Sequence, residues 1–306
     1  YIYPNSWMTI ALLEDGSITW WGDDDAGSHP HVNREPTATQ MAMNNIDRIY
    51  IVWNMMAAVT TEGGVVGLGS DDSDVTSVNP GGPSNVASGV KWLTGNNSSW
   101  CAVKEDGSLV TFGAPGSTFS SEGPSDSITG FLKVVPTGNC MTALNEDGSI
   151  YSWGYGPRGG EGPPDASYNS ASGVYRSVGP YVNIFSAGQA FAAIKSDGSI
   201  TNWGWGGRSG NQFAANPGEH PVLSGDNGAV KIWGMSNALG VYKKDNSFET
   251  WGQATSGGGH SIAAEASLIT NVYRTKKAWA ILRENGSVQC LGPADYGGDC
   301  SSVASQ

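Results

Sequence analysis

Carboxylates and imidazoles occur together in two short acidic segments of the chain. They contain Asp23, Asp24, Asp25, His29 and His31 in DDDAGSHPH, and Asp71, Asp72 and Asp74 in SDDSD. Such groups could bind a divalent cation, through oxygen alone for a hard ion or with imidazole for a borderline one. Neither segment has the D-x-D-x-D-G order of a calcium loop. The sequence therefore favours solvated acidic turns and predicts neither a metal site nor a cofactor.

Two other segments combine an aromatic residue with an arginine three positions later. Tyr155 and Arg158 lie in YGPRGGE, Trp205 and Arg208 lie in WGGRSGN, and Tyr296 lies in a comparable later segment. Tyr, Trp and Arg dominate binding energy when they are desolvated at the centre of a protein interface. These five residues are therefore the predicted partner-binding residues. The alternative is that each aromatic ring stacks on the arginine of its own loop.

Linear catalytic motifs are missing from the sequence. It contains no G-x-S-x-G elbow, no H-E-x-x-H and no P-loop. GYGPRG matches G-x-G-x-x-G, but it follows a predicted hairpin and begins no helix. The chain is predicted to be non-catalytic, and the remaining enzymatic hypothesis is a metal-dependent activity at the Asp and His residues of DDDAGSHPH.

The aromatic and acidic segments each follow a kernel that recurs seven times, as in ALNEDGSIYSWG and AAIKSDGSITNWG. The copies lie near residues 11–22, 58–69, 102–113, 143–154, 193–204, 241–252 and 281–292. Asp-Gly between two alternating segments is a strong hairpin signal and predicts a type I′ turn. The turn glycine is replaced once, by Asn246, and Asn tolerates the left-handed region. Each kernel is therefore predicted to be a β-hairpin.

The spacing of the kernels, 40 to 50 residues, is typical of propellers and β-solenoids. A second apolar segment, such as YVNIFSAG, precedes most kernels, and with a less regular outer strand it predicts about four antiparallel strands per repeat. The chain is thus predicted to be one all-β domain over residues 1–306, a seven-bladed propeller. Residues 1–4 are expected to complete the last blade, so that the N- and C-terminal segments pair and close the ring.

The strand order also predicts which segments share a surface. The Asp-Gly-Ser turns are expected at one face, and the loops after Trp-Gly at the other, beside the turns that follow each upstream segment. Trp21, Trp153, Trp203 and Trp251 hold one register in four kernels. They are predicted to pack between blades rather than to form a ligand platform.

The composition limits the partners. The formal net charge is −12 with only 16 Lys and Arg, so a basic face for nucleic acid is not expected. No apolar run is long enough to span a membrane as a helix. Cys101, Cys140, Cys290 and Cys300 could form two disulfides or remain four buried thiols. An extracytoplasmic location is expected, in a secreted fraction or an organelle lumen.

The kernel, with the glycine-rich loop that follows it in ALNEDGSIYSWGYGPRGG and AAIKSDGSITNWGWGGRSG, resembles the repeat of the regulator-of-chromosome-condensation family of seven-bladed β-propellers. The resemblance covers essentially the whole chain. It implies a rigid disc that binds other proteins through its loops. The family includes exchange factors for small GTPases, propellers within ubiquitin ligases and a secreted inhibitor of β-lactamase. The acidity of this chain argues against nucleosome binding and GTPase exchange.

Together these observations predict a non-catalytic protein-binding or scaffold module that uses the variable-loop face. Its partner would be another subunit of a larger assembly or a secreted protein that it inhibits. The alternative is a carbohydrate-binding propeller, in which exposed aromatic rings and Asn and Asp side chains bind a glycan.

Overall fold

The computed structural model describes residues 1–4, 8–22, 36, 38–52, 55–68, 86, 88–96, 99–113, 123–125, 127–170, 174–204 and 228–302. The chain divides into two compact units. The first comprises Tyr1–Met141, Trp153–Tyr155 and Asn169–Val174, and the second comprises Thr142–Ser152, Gly156–Tyr168 and Tyr175–Gln306. The single domain over residues 1–306 stays a prediction.

The described residues are almost entirely β-structure. In chain order the strands are β1 Ile2–Pro4, β2 Met8–Leu12, β3 Ile18–Gly22, β4 Ile46–Val52, β5 Met55–Thr60, β6 Val65–Leu68, β7 Val90–Gly95, β8 Ser99–Lys104, β9 Leu109–Gly113, β10 Phe131–Pro136, β11 Cys140–Asn145, β12 Ile150–Gly154, β13 Ser167–Asn169, β14 Val174–Ser177, β15 Tyr181–Ala187, β16 Ala190–Lys195, β17 Ile200–Gly204, β18 Ala229–Gly234, β19 Ala238–Lys243, β20 Phe248–Gly252, β21 Ser261–Ile262, β22 Ile269–Arg274, β23 Trp279–Arg283 and β24 Val288–Leu291. The described helices are α1 (Ala38–Met41) and 3-10 helices over Gly156–Arg158, Ala254–Ser256 and Ala294–Tyr296.

Within the described residues, the strands form seven sheets, one for each kernel. Their orders are β1-β2-β3, β4-β5-β6, β7-β8-β9, β10-β11-β12-β14-β13, β15-β16-β17, β18-β19-β20-β21 and β22-β23-β24. Each kernel supplies an antiparallel hairpin, as in β16 and β17, where Ala193 lies opposite Thr201. The upstream apolar segment forms the first strand of the sheet, as predicted. A fourth strand follows the hairpin in two of the sheets described.

The N-terminal strand differs from the expectation. The sequence predicts that residues 1–4 complete the last blade, but β1 pairs with β2, with Tyr3 opposite Ile10. The segment is therefore the first strand of the first sheet, because it stands before its kernel as every other upstream segment does. Closure of a ring by the terminal segments stays a prediction.

The kernel turn also differs from the predicted type I′. A type I′ turn needs positive φ at two successive residues, but only the glycine has it; Gly107 has φ 77°. The N–H of Gly107 donates to the carbonyl of Lys104 at 3.0 Å, and Lys104 N–H donates to the carbonyl of Ser108. This is a type I turn followed by one left-handed residue. The prediction that position 246 is left-handed is confirmed, since Asn246 has φ 66°.

The aspartate of the kernel fixes this turn. The Asp106 carboxylate accepts the backbone N–H of Ser108 at 2.9 Å and its hydroxyl at 2.6 Å. These bonds favour the charged form, and the Ser108 hydroxyl is the main cause that lowers the pKa of Asp106. In the last kernel, Asn285 makes the same two contacts to Ser287 without a charge.

In five repeats the turn glycine joins its sheet to the next one. In the first unit, the Gly107 carbonyl accepts the N–H of Phe131, the first residue of β10, at 3.0 Å. A Cβ on Gly107 would lie 2.7 Å from the amide nitrogen of Gly130. Equivalent bonds to turn glycines come from Ile46, Val90, Tyr181 and Ala229. Glycine is therefore required here by close backbone approach as well as by φ.

Side chains of neighbouring sheets form the core between them. The small or branched residue that begins each kernel is buried in every sheet, namely Ala11, Ala58, Ala102, Ala143, Ala193, Val241 and Ile281. In the first unit Val59 and Val65 pack with Val90 and Leu93 of the next sheet. In the second unit Ile194 packs with Ile232. This packing is the reason for the period-two pattern of the strands.

The kernel tryptophans follow the packing prediction, with one exception. Trp153 and Trp203 are buried, and Trp251 packs against a buried cluster of the second unit. Trp21 is 50 % exposed, so the prediction is wrong for it. The cross-strand neighbour explains the difference: Trp21 lies opposite Thr9, whereas Trp203 lies opposite Phe191, whose ring stacks on it.

The close approach at the turn glycines can be separated from the φ requirement by two substitutions. Gly286 has φ +81°, but a Cβ added to it would have no atom within 4 Å, so it is the matched control for Gly107. We expect Gly286→Ala to lower the free energy of unfolding by about 1 kcal/mol, and Gly107→Ala by about 3 kcal/mol. Urea unfolding measures both. Equal losses would mean that the contact with Gly130 has no energetic role.

The turn aspartates should make stability depend on pH. Their folded pKa values lie below the unfolded ones, so their contribution is present above about pH 4 and is lost as the pH falls through the folded values. The pKa values of Asp106 and Asp197 are lowered mainly by the hydroxyls of Ser108 and Ser199. We expect Asp106→Asn with Asp197→Asn to flatten the fall in melting temperature between neutral and acid pH. An unchanged slope would exclude this role.

Candidate functional site

The two ends of each sheet differ in composition. We call the end with the kernel turns the turn end. The opposite end, which carries the turn between the first two strands and the segment after the hairpin, is the loop end. At the loop end these two segments contact each other: Tyr155 N–H donates to the Asn139 carbonyl at 3.2 Å, and Gln253 N–H to the Asn237 carbonyl at 2.9 Å. The predicted proximity of these segments is therefore observed.

The segment after the hairpin has a recurring shape at the loop end. Short 3-10 helices occupy Gly156–Arg158, Ala254–Ser256 and Ala294–Tyr296. Each ends at a glycine with positive φ, namely Gly159, Gly257 and Gly297. Tyr296 and Arg158 each stand directly before this glycine. Tyr296 is therefore equivalent in position to Arg158 and not, as predicted, to Tyr155. The Gly257 carbonyl also accepts the indole N–H of Trp279 at 2.9 Å, so this segment packs on the next sheet.

The predicted binding residues of the fourth repeat lie at the loop end. Tyr155 is 38 % exposed, and its carbonyl accepts the thiol of Cys140 at 3.1 Å. Arg158 is half-buried at the end of its 3-10 helix. Trp205 and Arg208 lie outside the described residues. Their part in binding, like that of the other predicted residues, stays a prediction.

Tyr296 lies in a segment that is held at several points. The disulfide Cys290–Cys300 closes the segment, and the Tyr296 carbonyl accepts the Thr275 hydroxyl at 2.9 Å. The Lys277 ammonium lies 4.4 Å from the centre of the Tyr296 ring, and Tyr296 is 43 % exposed. The result is an aromatic side chain with a fixed backbone and an adjacent cation.

Sequence reasoning missed the basic residues beside Tyr296. In the sequence YRTKKAW, Arg274 is the last residue of β22, and Lys276 and Lys277 lie in the turn between β22 and β23. Three cations within four positions are unusual in so acidic a chain, and this pattern could have identified the basic residues from the sequence. The Asp and His residues of DDDAGSHPH and SDDSD lie outside the described residues. Elsewhere in the described part of the chain, no three His, Cys, Asp or Glu side chains are grouped so that they could hold a metal ion.

The cysteines combine both alternatives that the sequence left open. Cys290 and Cys300 form a disulfide, whereas Cys101 and Cys140 are buried free thiols. Burial raises the pKa of the Cys101 thiol far above its ordinary value. Both side chains are buried in the cores of their sheets, so their role is structural and neither thiol is exposed to reagents.

Comparison with known proteins identifies the fold. No family model matches the sequence, and no curated protein matches it. The structure is similar to human WBSCR16, with a TM-score of 0.53 and 14 % identity over 82 % of this chain and 78 % of that one. It also matches the CRINKLY WD40 ectodomain of the Arabidopsis thaliana receptor kinase ACR4, with a TM-score of 0.45 and 14 % identity over 81 % of this chain and 82 % of that one.

A third similar structure is yeast RCC1 (Prp20), solved with Kap60 bound. Its TM-score is 0.47 and its identity 13 %, over 95 % of this chain and 69 % of that one. The likeness to WBSCR16, an RCC1-like protein, shows that this chain has a regulator-of-chromosome-condensation-like propeller fold. The all-β propeller fold predicted from the kernel is thereby confirmed. At these identities the likeness concerns the fold alone. Among the described residues, no helix is long and apolar enough to cross a membrane.

The cysteine assignment predicts a definite thiol count. In the native protein we expect no rapid reaction with a thiol reagent such as DTNB, because Cys101 and Cys140 are buried. After unfolding without reductant, two thiols should react. Four reactive thiols would mean that Cys290 and Cys300 are not bonded, and none would mean that all four cysteines are.

Proposed function

We propose that the chain is a non-catalytic protein-binding module that uses the loop ends of its sheets, in a propeller of seven blades. The observation that carries the proposal is the presence of exposed aromatic side chains, Tyr155 and Tyr296, on segments with fixed backbones. Aromatic residues bury a large area at low entropic cost, and they dominate interface energetics when they become desolvated.

The fixed backbone of these segments supports a role in binding. Hydrogen bonds fix Tyr155 beside Asn139, and the disulfide and Thr275 fix Tyr296. A partner would therefore not have to order these segments, and this favours affinity. Asp106 and Asp197 lie in kernel turns, and hydrogen bonds from serine lower their pKa values. These pKa shifts therefore have a structural cause. They give no reason to propose an active site.

The Cys290–Cys300 disulfide supports an extracytoplasmic setting, because disulfides persist in oxidising compartments. In such a setting the partner would be a secreted protein that the module inhibits, or another subunit of an extracytoplasmic assembly. A glycan is the competing ligand, and Lys277 over one face of the Tyr296 ring leaves less of that ring for a sugar to stack on.

The proposal is tested by comparing partner capture with matched tyrosine variants. The partner is first isolated from the source fraction with the intact chain as bait, and its affinity is then measured with purified protein. We expect Tyr155→Ala with Tyr296→Ala to weaken the affinity at least about tenfold, as expected for interface tyrosines. Tyr168→Ala is the control, because Tyr168 is 60 % exposed on β13, outside the two loop segments.

Trp205→Ala with Arg208→Ala extends the comparison to the fifth repeat, and it too should weaken binding. If all of these variants bind the partner as tightly as the unmodified chain, the loop ends are not the binding surface. Retention on a glycan array without any protein partner would instead favour the carbohydrate-binding alternative.

A further inference from the structure

The seventh sheet carries a cluster of cations and aromatic rings at its loop end. We call Tyr273, Arg274, Lys276, Lys277 and Tyr296 the basic–aromatic patch. The chain has 16 Lys and Arg against 28 Asp and Glu, and three of the 16 lie between positions 274 and 277. In this chain of net charge −12, no other four successive positions of the sequence contain three Lys or Arg residues.

The turn that carries the cations is well defined. Thr275 N–H donates to the Ala278 carbonyl at 2.9 Å, and the Thr275 hydroxyl oxygen accepts the N–H of Ala278 at 3.0 Å. The strand before it is anchored by buried Val272, while Tyr273 is 55 % exposed and Arg274 and Lys276 are exposed. The charges therefore stand at the surface on a turn whose backbone is fixed.

The disulfide-closed segment forms the other side of the patch. Its Tyr296 carbonyl is bonded to Thr275, and its ring lies beside the Lys277 ammonium. A Cβ on Gly292 would lie 2.7 Å from the Lys277 carbonyl, so the segment approaches the turn as closely as backbone allows. The two segments thus hold the Tyr296 ring beside one cation, Lys277, and the exposed cations Arg274 and Lys276 lie on the same well-defined backbone before any ligand arrives.

The cations of the patch have no carboxylate partners among the described residues. Elsewhere, cations are neutralised by ion pairs: Lys243 with Glu249 at 2.8 Å and Arg176 with Asp147 at 2.8 Å. The acidic groups nearest in sequence to Tyr296 are Asp295 and Asp299. Asp299 also accepts the N–H of Ser301 at 2.9 Å. Three cations against these two carboxylates leave this surface with a net positive charge.

We propose that the basic–aromatic patch binds an acidic segment of a partner protein, in which carboxylates meet the cations and an apolar side chain meets the tyrosine rings. Carboxylates are the complement of exposed Arg and Lys, and the aromatic rings supply the area that charge alone does not. A nucleic acid fits less well, because three cations neutralise few phosphates while the chain as a whole repels them. The inference rests on the proposed function and names the chemistry of its partner.

The test uses a peptide probe and the intact chain. The probe is a fluorescein-labelled peptide of about 12 residues that alternates Glu with Ser and ends in Leu and Tyr, long enough to cross the patch in an extended form. Its matched control has Gln in place of each Glu. Fluorescence anisotropy should show binding of the Glu peptide alone, weakened at least about tenfold between about 0.02 M and 0.2 M salt.

Substitutions of the three cations test whether the Glu peptide binds at the basic–aromatic patch. Arg274→Gln with Lys276→Gln and Lys277→Gln should weaken binding of the Glu peptide about tenfold. The control, Lys91→Gln with Lys104→Gln and Lys244→Gln, removes the same charge elsewhere and should change the affinity less than about twofold. Equal affinity for the Glu and Gln peptides, or equal losses in the two triple variants, would overturn the proposal. A single-stranded oligonucleotide of similar length that binds the patch more tightly than the peptide would also overturn it, in favour of nucleic acid.

The same patch variant separates this inference from the proposed function. If it binds the captured partner normally while the Tyr155 and Tyr296 variant does not, the loop ends bind the partner but the acidic-segment inference is wrong. If no variant at the loop ends affects the partner, whereas the Glu peptide still requires Arg274, Lys276 and Lys277, the proposed function fails and the patch remains an acidic-peptide site.

Discussion

The hydrogen bond from the first residue of a sheet to the preceding turn glycine, found for five of the described sheets, is the constraint on which the rest of the structure depends. It occurs at Ile46, Val90 and Phe131 in the first unit and at Tyr181 and Ala229 in the second. The bond brings two backbones so close that a Cβ on the glycine would collide with the next strand. The sequence of the turn end can therefore vary little. In most repeats an aspartate and a serine complete it, because together they satisfy the turn's polar groups, whereas in the second repeat the Thr60 hydroxyl accepts the N–H of Gly64.

This constraint leaves the loop ends as the part of each sheet that can change in length and chemistry. At the loop end, the middle strand of a sheet supplies a buried aromatic side chain, such as Phe191 or Trp279. The segment after the hairpin of the preceding repeat packs against this side chain. The residues of this segment that do not make that contact differ between repeats. One repeat carries Tyr155, and another carries Tyr296 in a disulfide-closed segment beside Lys277. A binding surface can be built on such segments without disturbing the core, because none of the bonds between turn glycine and strand involves them.

The kernel was sufficient to predict the hairpins, the upstream strands, the left-handed position of Asn246 and the fold, because these follow from local φ preferences and from alternation. The predicted turn type was wrong, because the serine after Gly107 stabilises a different turn through Asp106. The exposure of Trp21 depends on its cross-strand neighbour Thr9, which no single strand reveals. The positions of Tyr296 and Lys277 depend on a disulfide and on a contact between segments about 20 residues apart, so only the three-dimensional structure could bring them together.

Hydrogen–deuterium exchange of the chain, alone and with its captured partner, is the measurement that distinguishes the two ends of the sheets. We expect the amides of Val90, Phe131 and Tyr181 to exchange slowly in both states, because they are bonded to turn glycines. The partner should slow exchange at the loop ends, in residues 275–278 and 293–297, and should leave the kernel turns unchanged. Protection confined to the kernel turns, or fast exchange of the three bonded amides in the free chain, would contradict this division between a structural and a binding end.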